Sequence, residues 1–268
     1  MKLNLANYHS AEADREYMSN SQLKGWLECP RRQWAKMAGL WEDEEPMAFL
    51  VGKYVDQAIL TPETLHELVE ANRDTIMTKK GELRADFVFA ERMIARAKRD
   101  DTFMVHLDGE TQKLITWEMF GVKWRALLDV VDSEHGMLCD LKTVRDFEEQ
   151  WDPVQRMKLP FYERYGYWRQ LSVYREAYRA EFGKHPELVV IAAVSKQWHP
   201  RLKVIQFDAK EGELSRFDHE LEKIRVLIPT VLEYKAAKQA ADVPGCGACD
   251  YCADCGEAKM EAAASLMW

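Results

Sequence analysis

Residues 127–144 read LLDVVDSEHGMLCDLKTV, two mostly apolar runs on either side of SEHG. Short β-prone runs bounded by a Ser/Gly-containing turn predict a β-hairpin. A four-residue loop pairs Asp132 with Met137, and the same register sets Asp129 directly opposite Asp140. Val131 then faces Leu138, Leu127 faces Lys142 and Arg125 faces Val144. Trp124, Ala126, Leu128 and Val130 share the other face with Cys139, Leu141 and Thr143, a surface suited to a covering helix. Like charges directly across a ladder are destabilising, so this pairing calls for a positive counterpart. Lys142 supplies one charge, and a divalent cation would use both acids as ligands. Hard oxygen donors with no histidine nearby favour Mg²⁺ or Mn²⁺. The charge pattern alone leaves open a surface hairpin whose acids diverge into water, or a register slipped by one residue.

The 268 residues around this hairpin can bury a substantial core, and 47% hydrophobic residues with 31% charged describe a globular chain rather than a disordered one. A formal net charge of −8 excludes a uniformly basic nucleic-acid binder, although local basic stretches such as CPRRQWAK and RMIARAKRD remain. No apolar run reaches the ~18 residues of a membrane span, and the N-terminus lacks the apolar core of a secretory signal. The expectation is a cytoplasmic protein with no membrane partner.

Before the hairpin, Ser19 and Ser21 can cap a helix through QLKGWLEC, which Pro30 interrupts or restarts. WEDEEP reads as a loop and MAFLVGKYVDQAIL as a mostly apolar helix carrying Asp56. Two amphipathic helices, PETLHELVEANRD and ADFVFAERMIARAKR, precede a first strand, KLITWEMF. After the hairpin come the helix YWRQLSVYREAYRAEFG, the apolar strand ELVVIAAV, the strand LKVIQFD and a helical stretch over 210–240 kinked at Pro229. This order predicts an α/β fold with a central mixed sheet flanked by helices and a helical N-terminal region. The chain divides into a body over 1–240 and a Cys-rich tail over 241–268.

Of six cysteines, Cys246, Cys249, Cys252 and Cys255 fall within ten residues, while Cys29 and Cys139 stand apart. In a reducing compartment such clustering favours metal over disulfides. Thiolates suit both iron–sulfur clusters and tetrahedral zinc. Cys139 reads as a packed core thiol.

Asp129 followed by Asp140-Leu141-Lys142 resembles the core of the PD-(D/E)XK nuclease superfamily, and within it the RecE-like and RecB-like exonucleases, including CRISPR-adaptation nucleases. GKYVDQAIL matches the family's Gly-x-x-x-His segment at Gly52, with Asp56 where histidine is usual. DLKTVRD matches the extended Asp-x-Lys-Thr stretch. Gln170 and Tyr174 match the Gln-x-x-x-Tyr helix of the RecB-like branch, and their i, i+4 spacing puts both on one face. SNSQLKGWLECPRRQW resembles the Ser-x-Ser-x-Leu…Cys-Pro opening of iron–sulfur members, whose early cysteine joins three near the C-terminus. Cys246, Cys249 and Cys255 fit the usual late spacing, with Cys252 as a substitute.

The resemblance implies a restriction-endonuclease-like core and a metal-dependent DNA exonuclease of phage or bacterial recombination, repair or end processing. Asp56, Asp129, Asp140 and the Leu141 carbonyl would bind Mg²⁺ or Mn²⁺. Lys142 would orient the attacking water, Gln170 and Tyr174 would position substrate, and Arg125 would contact phosphate or form a structural ion pair. Cys29 with the late cysteines would hold a [4Fe–4S] cluster; the alternative from the residues alone is Zn²⁺ held by the four late cysteines, leaving Cys29 a buried thiol, and in either case the metal would staple tail to body. Implied partners are DNA and a recombination protein such as a single-strand annealing protein or nuclease complex, with an oligomer admitted by ring-forming relatives. Trp168 and Trp198 could stack on unpaired bases. One rival functional reading is a catalytically degenerate nuclease-fold module that binds DNA or protein, kept open by Asp56; a second takes the Cys-rich end as a zinc interaction module on an unrelated α/β regulatory protein.

Overall fold

The computed structural model describes residues 2–153, 155–207 and 215–255. Asp208 of the last expected strand, the start of the 210–240 helical stretch and tail residues 256–268 lie outside the described residues. The main sheet has five strands: β1 (Glu110–Met119), β2 (Val122–Asp132), β3 (Met137–Val144), β6 (Leu188–Ser195) and β7 (Leu202–Phe207), adjacent in that order. A small hairpin of β4 (Gln150–Asp152) and β5 (Met157–Leu159) stands apart from it. All neighbours in the main sheet are antiparallel except β3 and β6, whose parallel pairing needs a crossover. The helix Tyr167–Phe182 lies within that connection. The mixed sheet between helices is the architecture expected from the sequence.

Both faces of β3 and β6 are covered, which is why their sequences are nearly continuous in apolar residues. On one face Leu138, Val189 and Ile191 pack with Leu171, Ala177, Tyr178 and Phe217, from the helices Tyr167–Phe182 and Arg216–Lys235. On the other, Cys139, Leu141, Val190 and Ala192 pack with Leu60 and Ala97, from the helices Met47–Leu60 and Ala85–Lys98. Cys139 is fully buried there, and burial pushes its thiol well above the ordinary range.

Local signals account for the element ends. The Ser19 side chain accepts from the N–H of Gln22 and caps the helix Asn20–Glu28. Pro30 restarts the chain as the helix Pro30–Met37, because a proline at the first helical position loses no helix hydrogen bond. Ser215 and Asp218 form a reciprocal capping box on the helix Arg216–Lys235, with Pro229 inside it.

The expected strand pairing holds only in part. Asp132 pairs with Met137, Val131 with Leu138 and Val130 with Cys139, and the ladder stops there. Leu127–Lys142 and Arg125–Val144 are not paired. Instead, Met18 takes the freed edge of β2: its N–H donates to the Lys123 carbonyl, and its carbonyl accepts from the N–H of Arg125. The expected single face of Ala126, Leu128 and Val130 is also broken, since Ala126 and Leu128 pack with Leu138 and Val130 packs with Cys139. The change falls at Asp129, opposite Gln112, whose backbone takes a positive φ of 51°. A local irregularity there exchanges the faces, as a bulge does.

Candidate active site

The site lies where β2 and β3 part. Asp129 is at the end of the paired part of β2, and its Oδ2 accepts the N–H of Leu141 at 3.0 Å. Its Oδ1 lies 3.4 Å from the Gln112 amide nitrogen. Asp140 is almost fully buried, and its Oδ2 is 2.7 Å from Lys142 Nζ. Gln170, on the crossover helix, donates from Nε2 to Asp140 Oδ1 at 3.0 Å. Asp129 and Asp140 are close enough to act strongly on each other's charge, although the regular ladder ends one residue earlier.

Asp56 reaches the same point from the helix Met47–Leu60 on the opposite face. Gly52, one turn earlier, lets this helix approach β3: a Cβ there would sit 3.4 Å from Thr143 Oγ1. The Asp56 Oδ1 is buried without a hydrogen-bond partner, an arrangement costly for a carboxylate that has nothing to ligate.

The electrostatics follow from three acids in a poorly hydrated place. Burial, reinforced by Asp129 and Asp140, raises Asp56 well above the usual carboxylate range, with Lys142 opposing. Burial and then the Asp140 charge push Asp129 up to about 7. For Lys142 burial acts to lower the pKa, but Asp140 and Asp129 outweigh it and hold the ammonium well above the ordinary lysine range. Burial, then Asp140, raises the Tyr174 phenol well above its usual value. One lysine does not neutralise three carboxylates. An orphaned carboxylate oxygen among hard oxygen donors fits a divalent Mg²⁺ or Mn²⁺ ion.

The structure thus brings together Asp56, Asp129, Asp140, Lys142, Gln170 and Tyr174, with Leu141 between the last acid and the lysine. Two tyrosines join them unforeseen. Tyr167 places its ring 5.3 Å from Lys142 Nζ, and burial pushes its phenol to about 12. Tyr8 lies beside them: burial pushes its phenol up to about 12, with the charges of Arg125, Asp14 and Asp129 acting on it. Neither carried a sequence signal, because Tyr8 arrives from a distant segment and Tyr167 only starts a helix.

Arg125 is buried and ion-paired with Asp14, with its guanidinium 4.8 Å from the centre of the Tyr8 ring. Its Nε and Nη1 have no hydrogen-bond partner. It borders a cavity of about 150 Å³ that is also lined by Tyr8, His9, Ser19, Ser21 and Lys36. Trp168 is half-buried between Phe207 and Phe217 and donates to Glu163. Trp198 is exposed, and the Arg92 guanidinium lies 3.4 Å from its ring centre.

Cys29, Cys246, Cys249 and Cys252 converge, each sulfur within 4.8 Å of the others. Such a group can hold a metal. Cys252 therefore takes the place expected for Cys255, which is exposed and lies outside the group.

A forked mixed sheet with clustered acids and a lysine at the fork is the frame of a nuclease of the PD-(D/E)XK type. The chain belongs to the family described as a PDDEXK-like domain of unknown function (DUF3799), whose model matches residues 19–255. It is similar to the crystal structure of a protein named "Putative exonuclease" from Eubacterium rectale, at TM-score 0.88 and 31% identity, over 98% of this chain and 96% of that one. A second solved structure, SSO0001, overlaps over 74% of this chain and 84% of that one at TM-score 0.29 and 11% identity, too weakly to carry an argument. No curated protein matches the sequence. Among the described residues no helix is long and apolar enough to cross a membrane.

Proposed function

We propose that this nuclease is a Mg²⁺- or Mn²⁺-dependent DNA exonuclease that hydrolyses phosphodiester bonds from DNA ends, in recombination, repair or end processing. The observation that carries the reading is the convergence of Asp56, Asp129 and Asp140 with Lys142 at the point where β2 and β3 separate. The exonuclease named for the Eubacterium rectale protein supports action at ends.

Asp56, Asp129, Asp140 and the Leu141 carbonyl would hold the cation, which supplies charge neutralisation and activation of water when bound. Lys142 holds a compact positive charge at the scissile phosphate and orients the attacking water. Gln170 keeps Asp140 Oδ1 in one orientation, leaving Oδ2 toward Lys142. Tyr174 and Tyr167 line the lysine and position substrate. Arg125, buried and ion-paired with Asp14, serves as the structural ion pair and holds the segment around Asp14 on β2.

The test uses end-labelled linear DNA and a matched closed circle, each with Mg²⁺, Mn²⁺ or chelator. Metal-dependent release of short products from the linear DNA, with the circle spared, is expected. Wild-type rates in Asp140→Ala or Lys142→Ala would overturn the catalytic assignment, and DNA binding without any degradation would establish the degenerate module instead. Capture of a single-strand annealing protein from the same genome would identify the recombination partner.

A further inference from the structure

We infer that Cys29, Cys246, Cys249 and Cys252 hold one tetrahedral zinc ion, and not the four-iron cluster that the iron–sulfur nucleases would suggest. The spacing of the sulfurs carries this. All four lie within 4.8 Å of one another, and Cys29 Sγ is 3.6 Å from Cys252 Sγ. A zinc–sulfur bond of about 2.3 Å gives a tetrahedron with an edge of about 3.8 Å, and this group, with one edge of 3.6 Å and a spread no greater than 4.8 Å, is close to that size. In a [4Fe–4S] centre each thiolate binds a different iron and the whole cubane stands between them, which forces the thiolates well beyond the spread seen here.

The body closes the group on the Cys29 side, while Cys246 faces solvent. A Cβ built on Gly245 would lie 3.0 Å from Cys252 Sγ and 3.5 Å from the Arg31 guanidinium carbon, so the backbone and Arg31 already close that side. Cys29 is fully buried at the junction of two helices, and it cannot retreat without moving both. The turn Cys246–Cys249 wraps its first sulfur: the N–H groups of Ala248 and Cys249 donate to Cys246 Sγ at 3.4 and 3.3 Å. Gly247 makes this turn with a positive φ of 71°, which a side chain would resist. The N–H of Cys246 donates to Cys29 Sγ at 3.5 Å. Backbone donors aimed at sulfur stabilise the thiolate form that a structural zinc requires.

The ion would join residues more than two hundred positions apart, alongside contacts that already seat the tail on the helix Pro30–Met37. Arg31 donates from its N–H to the Pro244 carbonyl and from Nε to the Val243 carbonyl, and Trp34 Nε1 donates to the Ala237 carbonyl. The preceding helix, Asn20–Glu28, contributes Lys24, Leu27 and Glu28 to a groove of about 410 Å³ shared with Arg164 and Arg169. Zinc at Cys29 thus fixes one wall of that groove. This inference is independent of the nuclease reading.

The full chain would be purified anaerobically from cells supplied with both iron and zinc, and then offered ferrous iron and sulfide. Elemental analysis, acid-labile sulfide and the visible spectrum are the readouts, none of which depends on activity. One zinc per chain, no sulfide and a colourless protein are expected, and cobalt exchange should give the visible bands of a tetrahedral thiolate site. Cys255→Ser should keep its zinc, whereas Cys252→Ser should lose it and melt at lower temperature. A brown protein with iron and sulfide in equal amounts, a metal-free chain, or loss of metal in Cys255→Ser would each overturn the assignment. Wild type and Cys255→Ser decide the question even if Cys252→Ser fails to fold.

Discussion

The carboxylate of Asp129 accepts the N–H of Leu141 at 3.0 Å, so one of the candidate metal ligands is also the group that holds β2 and β3 apart. The Leu141 N–H is a donor that the continued ladder would have had to satisfy, and a buried donor must find an acceptor somewhere. Asp129 supplies it, and the strands open where the substrate phosphate would sit. Asp129→Asn keeps an oxygen for Leu141 while removing the charge. Its metal-free form should melt at or above the wild-type temperature, and its cleavage rate should fall by at least ~10²-fold, within the range seen when a group that stabilises developing charge is removed. Asp129→Leu loses the acceptor as well and should cost roughly 1–3 kcal/mol of stability. Calorimetry and single-turnover cleavage separate the two effects.

The pH dependence of the empty site follows from the direction of the Asp129 shift. Its folded-state pKa of about 7 lies above its ordinary carboxylate value of 3.8. The folded protein then binds more protons than the unfolded chain between those values. The contribution is stabilising below the lower value and is lost as pH rises through about 7. Without divalent metal, melting temperature should therefore fall from acidic pH toward neutrality, and saturating Mg²⁺ should reverse the fall. Metal affinity should rise with pH up to about 7 and then level off, because binding displaces the proton. Titration calorimetry in buffers of different ionisation enthalpy would count the proton released; a flat affinity between pH 5 and about 7 would contradict the coupling.

Gln170→Leu removes the 3.0 Å hydrogen bond on Asp140 Oδ1 without touching a ligand directly. Groups that orient ligands typically contribute 10–100-fold in affinity or activity, so about a tenfold loss of cleavage is expected with the fold intact. Metal titration should show weaker binding in the same proportion.

Asp56 offers a hard oxygen where related nucleases use an imidazole nitrogen. Asp56→His should shift the preference from Mg²⁺ toward Mn²⁺, since imidazole suits the later first-row metal better than Mg²⁺. Comparing rates in the two ions for both proteins checks this; an unchanged ratio would remove Asp56 from the metal shell.

Gly109 adopts a φ of 154°, and a Cβ there would lie 2.7 Å from the Val131 carbonyl oxygen. Gly109→Ala should destabilise the β1–β2 edge by roughly 1–3 kcal/mol through backbone strain. Chemical denaturation measures it directly, and full activity in the surviving folded protein would show that the cost is purely structural.

Much of this was readable in local pattern. The SEHG turn, the alternation through Asp132 and Met137, the caps at Ser19 and Pro30 and the apolar helix carrying Asp56 each depend on neighbours in sequence. The hairpin Gln150–Leu159 was not foreseen, because strands of three residues hold too little alternation to recognise. Continuation of the β2–β3 pairing past Cys139 was expected and did not occur, because side-chain competition for a backbone N–H has no periodic signature. Cys255 fitted the family spacing, yet Cys252 faces Cys29, since the short helix Asp250–Asp254 governs which sulfur turns inward.

Residue types and their periods were enough to specify an acid pair, a lysine two positions on and a late run of thiols, because turns, caps and amphipathic faces are short-range physics. Packing settled the remainder. Asp56 and Gln170 approach β3 from opposite sides, Tyr8 and Asp14 reach Arg125 across more than a hundred residues, and four sulfurs close to single-ion distance. Those meetings depend on how helices seat on the two faces of one sheet, which only the balance of burial and hydrogen bonding over the whole chain can fix.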